Sequence, residues 1–83
     1  MKTYTFKVVV EPDGDGFHAF CPALRHLGAV TQGSTEGDAL RNINEVVQMI
    51  VDELREDGLP LPPASKDDVE IFDGARVAVT SLS

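Results

Sequence analysis

The sequence has a single cysteine, Cys21, so no intrachain disulfide framework can form and a reducing compartment is the simpler setting. No apolar run approaches membrane-spanning length, and Met1 to Thr5 lacks the charged, then apolar, then small pattern of a secretion signal. These gaps point to a cytoplasmic protein with no membrane contact. Positive charge is also scarce: seven Lys and Arg stand against fourteen Asp and Glu, a net charge of −7. The bases are scattered, no nucleic-acid motif is present, and a phosphate backbone would be repelled, so direct nucleic-acid binding is not expected. Internal repeats and low-complexity segments are missing too. A chain of 83 residues makes one domain, 1–83, with a thin core that oligomerisation would relieve.

What is present is organised around Thr35 to Asp57. Ala39, Leu40, Ile43, Val46, Val47, Ile50, Val51 and Leu54 recur at three- and four-residue spacing, which is one face of an α-helix, and the other side is polar or charged. Thr35 is placed to cap the first free N–H groups, Asp38 can reach back in a weak capping box, and Glu36 and Asp38 suit the positive end of the helix dipole. Gly58 can close the helix in a left-handed conformation, and Pro60, Pro62 and Pro63 forbid its continuation. Such a helix needs a surface to lie on, and the strand-like stretches around it supply one.

Before the helix, Tyr4, Phe6, Val8 and Val10 alternate with Thr3, Thr5, Lys7, Val9 and Glu11, the pattern of a half-buried strand. Pro12-Asp13-Gly14-Asp15-Gly16 is turn chemistry and predicts a hairpin. Phe17 to Cys21 is the second strand, with Phe17, Ala19 and Cys21 on one face and His18 and Phe20 on the other. Pro22 ends it, Ala23 to His26 connects, and Leu27 to Gln32 reads as a short third strand with a bend at Gly28. After the helix, Ser65 to Asp68 reads as loop. A final strand is expected near Arg76 to Thr80, with a less defined one over Val69 to Phe72 and a turn or bulge at Asp73-Gly74. The class is α+β: a β-β-β-α-β antiparallel sheet with one helix packed on one face.

No constellation of side chains argues for catalysis. Asp13 and Asp15 resemble the start of a calcium loop, but strands flank them and the later oxygen ligands are missing. Glu11, Asp13 and Asp15 sit together as a metal-dependent nuclease trio would, but they crowd a hairpin tip with no rigid scaffold. His18, Cys21 and His26 are possible zinc ligands without a fourth donor, and His18 and Cys21 should face opposite ways, which opposes a Cys-His nucleophile pair as well. Gly33-Ser34-Thr35 opens a helix as an anion cradle does, yet Glu36 and Asp38 would repel an anion, and capping explains it better. No catalytic, metal or cofactor residues are assigned.

The run Asp15 to Leu24, with Gly16, Phe17, Ala19, Pro22 and Leu24 at fixed offsets, is followed by Gly28 to Thr35 with Thr31, Gly33 and Thr35, and then by Ala39-Leu40. Over about Tyr4 to Pro63 this order resembles the HicB-like antitoxins of bacterial and archaeal toxin-antitoxin systems. The resemblance implies a partial RNase-H-like fold and a partner, a small basic RNA-cleaving toxin of the HicA type. Two departures stand out. Arg25-His26-Leu27-Gly28 is two residues longer than the family's usual connection, which should be reshaped, and Gly37 replaces a helix-favouring residue in the first turn. Larger family members carry a DNA-binding domain after this module, and this sequence has no such segment, so the resemblance points to toxin neutralisation or a stand-alone accessory role.

The charge fits such a partner. Between Glu36 and Asp57 lie seven acids and two bases, so this segment carries five of the seven excess negative charges. Glu45, Asp52, Glu53, Glu56 and Asp57 are the expected partner-binding residues, with the acidic surface steering encounter. Two other readings remain: a stand-alone oligomerising module that assembles through a strand edge or the uncovered sheet face, and a degenerate RNase-H-like nuclease.

Overall fold

Glycine at the tip of the first hairpin sets its geometry. In the computed structural model, which describes residues 4–60 and 76–82, Asp13 pairs with Gly16 across a two-residue turn, and Gly14 takes φ 59°. A positive φ at the first central position alone is the sign pattern of a type II′ turn, whose twist matches that of the strands it joins. β1 (Tyr4–Asp13) and β2 (Gly16–Phe20) therefore run antiparallel, with Val9 opposite Phe20 and Glu11 opposite His18.

The chain then departs from the expected third strand. Pro22 to Leu27 forms a 3₁₀ helix, with proline at its start, Arg25 and His26 in its last turn, and Gly28 closing it at φ 93°. The Gly28 N–H donates to the Arg25 carbonyl at 3.0 Å and the Ala29 N–H to the Leu24 carbonyl at 3.3 Å. This winding carries Leu24 fully into the core. β3 is correspondingly short, Val30–Gly33, and pairs antiparallel with β2.

α1 (Glu36–Glu56) follows, then β4 (Arg76–Leu82), which pairs antiparallel with β1. The sheet order is β3-β2-β1-β4, with the helix on one face. β4 runs two residues beyond the expected Thr80. The expected loop at Ser65 to Asp68, the strand over Val69 to Phe72, the Asp73-Gly74 turn and the prolines at 62 and 63 lie outside the described residues.

The helix stripe divides into two grades. Ala39, Ile43, Val47 and Val51, one row at four-residue spacing, are buried, whereas Leu40, Val46, Ile50 and Leu54 pack half-buried along its flanks. Against them lie Phe6, Val8, Val10, Ala19, Cys21, Leu24 and Ala29. The first strand is not half-buried as its alternation suggested, because all five residues from Phe6 to Val10 are shut off from solvent. Val9 is 0 % and Lys7 8 % exposed on the side away from the helix. Strand order explains this. β1 is central, Phe20 sits opposite Val9 on that reverse face, and the Arg25 guanidinium lies 4.8 Å over the Phe20 ring.

Candidate functional site

Both ends of α1 are closed by local chemistry, which fixes the phase of every side chain between them. The Thr35 hydroxyl accepts a hydrogen bond from the Asp38 N–H at 3.0 Å. The Asp38 carboxylate does not turn back toward the cap; it accepts from the Arg41 guanidinium at 2.9 Å. At the other end Gly58, at φ 68°, donates to the Arg55 carbonyl and Leu59 to the Leu54 carbonyl, the paired bonds of a Schellman motif. Gly33 lets the helix seat this close to the sheet. A Cβ there would lie 2.3 Å from the Ala39 nitrogen, and one at Gly16 would lie 2.8 Å from the Gly33 carbonyl oxygen. That explains the Gly33-Ser34-Thr35 sequence without any bound anion.

With the phase fixed, about 100° per residue places Glu45, Asp52 and Glu56 in one line along the solvent side of α1. Glu53 and Asp57 lie off that line, Asp57 at the cap itself, where its N–H donates to the Glu53 carbonyl at 3.0 Å. All five acids are exposed. The Gln48 amide donates to the Asp52 carboxylate at 3.0 Å and holds it along the helix axis. Arg55 shares a shallow cleft with Asp52 and Glu56. Inside this acidic line stands Met49, 59 % exposed, which the charge count alone passes over. The same helical count that groups the acids would have found it, since it falls four residues after Glu45 and three before Asp52.

The other candidate residues gather on the reverse face of the sheet. The Glu11 carboxylate lies 3.2 Å from His18 Nε2 and the Asp13 carboxylate 3.9 Å from Nδ1, so two of the three hairpin acids converge on an imidazole and not on an open point. The His18 ring stacks on Phe20 with centroids 6.0 Å apart. Cys21 faces the opposite way, 0 % exposed in the helix-side core, where burial pushes its thiol pKa up. His18 and Cys21 therefore do not meet, and among the described residues no three His, Cys, Asp or Glu side chains are grouped to hold a metal ion. No helix among the described residues is long and apolar enough to cross a membrane.

No protein-family model matches the chain, and no solved structure matches it significantly. Two curated proteins do. A UPF0150 protein of Synechocystis sp. is 37% identical over 60 residues, covering 71% of this chain and 73% of its own length. A UPF0150 protein of Helicobacter pylori is 41% identical over 51 residues, covering 61% of this chain and 68% of its own. Neither name states an activity. At this identity and coverage, the chain belongs to the UPF0150 family.

Proposed function

We propose that the chain is a non-catalytic binding module whose acidic helix face captures a small basic protein, in the manner of the HicB-like antitoxins that it resembles. The observation that carries the reading is the line of Glu45, Asp52 and Glu56 on the exposed side of a helix whose opposite side is committed to the core. An anionic ridge on a rigid support attracts a cationic surface and orients it before contact, which raises the association rate more than the final affinity. The expected partner is a HicA-type RNA-cleaving toxin, whose RNA-binding surface has to be basic; masking that surface neutralises it. The finer kinship, a partial RNase-H-like fold, belongs to the same proposal and is supported by the β-β-β-α-β element order.

Co-expression with a HicA-type toxin tests the reading. The expected result is restored growth and a complex whose association slows with added salt. Reversal of Glu45, Asp52 and Glu56 to lysine should slow association and flatten that salt dependence. A toxin that stays free and active beside the wild-type chain at low salt overturns the proposal. The oligomerising alternative draws on the exposed Leu27 and Val30 beside the β3 edge, and light scattering that finds only monomer at micromolar concentration removes it.

A further inference from the structure

We infer that two copies of this chain pair through β3, antiparallel about a two-fold axis at Thr31, so that one sheet continues across both molecules. Such a dimer leaves the acidic side of α1 open and holds whether or not that side captures a toxin.

The main chain of β3 specifies the occupant. Successive residues of a strand turn their N–H and C=O groups to opposite sides. The Cys21 N–H donates to the Ala29 carbonyl at 3.1 Å, so Ala29, Thr31 and Gly33 bond toward β2, while Val30 and Gln32 present their groups to the open margin. Two of these outward groups are taken. The Val30 N–H donates to the Gly28 carbonyl at 2.8 Å, and the Gln32 carbonyl accepts from Asn42, which reaches it from the helix side of the sheet. Among the described residues the Gln32 N–H and the Val30 carbonyl have no partner. One donor and one acceptor at alternate positions are self-complementary. With Thr31 of one copy opposite Thr31 of the other, Val30 faces Gln32 across the axis, and each Gln32 N–H meets the Val30 carbonyl of the second copy.

Side chains and charge agree with this pairing. Val9, Phe20 and Val30 stand opposite one another in a row across the reverse face, closed at Val9 and Phe20 and open at Val30, which is 49 % exposed. A second β3 continues the row, since Val30 then packs beside Gln32 of the second copy and lies diagonal to its Val30. Leu27, also exposed, stands at the entry to the same margin. Leu27 to Thr35 carries no ionisable side chain, so this margin lets two chains of net charge −7 meet without setting acids face to face. Antiparallel order also turns the Arg25-His26 end of each copy toward the Glu36 end of the other, basic against acidic. A nucleic acid or a lipid surface has no strand edge to match the two main-chain groups.

The test uses the full chain, labelled with ¹⁵N. As its concentration rises from micromolar to millimolar, light scattering should report a dimer and solvent exchange of the Gln32 amide should slow in step. The Val30 amide, bonded within its own chain, should change little. Val30→Lys is the deciding variant: Val30 is exposed, so the variant should fold, and lysine at a strand edge opposes pairing, so dimerisation should weaken by about tenfold. The same change lowers the net negative charge, so association through any other surface should tighten instead. Leu59→Ser, at an exposed apolar site beyond the helix, should leave dimerisation unchanged. A chain that stays monomeric at millimolar concentration, a dimer that tightens in Val30→Lys, or a dimer whose Gln32 amide exchanges as fast as in the dilute chain would each overturn the assignment. So would protection of Gln32 that appears only on adding a HicA-type toxin, which would make the toxin the occupant. If the dimer protects Gln32 but no toxin is captured, the toxin reading fails and the pairing stands. If toxin is captured by a chain that never dimerises, the pairing fails and the toxin reading stands.

Discussion

Gly33 carries more structural consequence than its size suggests. Because a Cβ at this position would overlap the Ala39 backbone, Gly33→Ala must lift the start of α1 off the sheet or bend β3. Urea denaturation should show a loss of about 1 to 3 kcal/mol or more, since the obstacle is main chain that cannot rotate aside. Cys21 makes a separate prediction. Burial raises its pKa above the ordinary 9.0, outweighing the backbone hydrogen bonds of Leu24 and Ala23 that lower it. The unfolded chain ionises this thiol first, so the native state binds the proton more tightly across the interval between the two values. The stability linked to Cys21 is thus complete below pH 9.0 and is lost as pH rises through that interval toward the native value. Urea midpoints measured on both sides of pH 9.0 should fall for the wild type and stay flatter for Cys21→Ala. The native thiol should also resist alkylation until the core opens.

Among the elements, α1 was the most legible, because a long amphipathic period fixes both the type of structure and the side that is buried. The cap at Thr35 and the closure at Gly58 were readable for the same reason: each is a local event between residues close in sequence. One flaw remains in the first turn. A Cβ at Gly37 would meet only the Thr35 hydroxyl, at 3.9 Å, so Gly37→Ala should stabilise the protein by roughly 0.5 to 1 kcal/mol, visible as a higher urea midpoint with an unchanged slope. The 3₁₀ helix was missed for a physical reason. Proline at its start, Arg25 and His26 in its last turn and Gly28 at its end are all helix-boundary signals, but six residues are too few to show a period. Reading through them extended the third strand backward over Leu27.

At the scale of the molecule, the reverse face shows where local pattern runs out. Lys7 and Val9 look like the wet side of a strand, yet both are buried: β1 is central in the sheet, and Phe20 stands opposite Val9 with Arg25 over its ring. The acids of the candidate site were legible from charge, and their alignment only from helical phase. β3 stands at a sheet margin, where unpaired main-chain groups invite other strands. The Asn42 amide donates to the Gln32 carbonyl at 2.8 Å and so ties the helix to that margin. Asn42→Leu should forfeit about 0.5 to 1.5 kcal/mol and, more visibly, raise light scattering over time at high concentration. The Asn42 carboxamide thus occupies a carbonyl of an outermost strand that would otherwise be open to another chain.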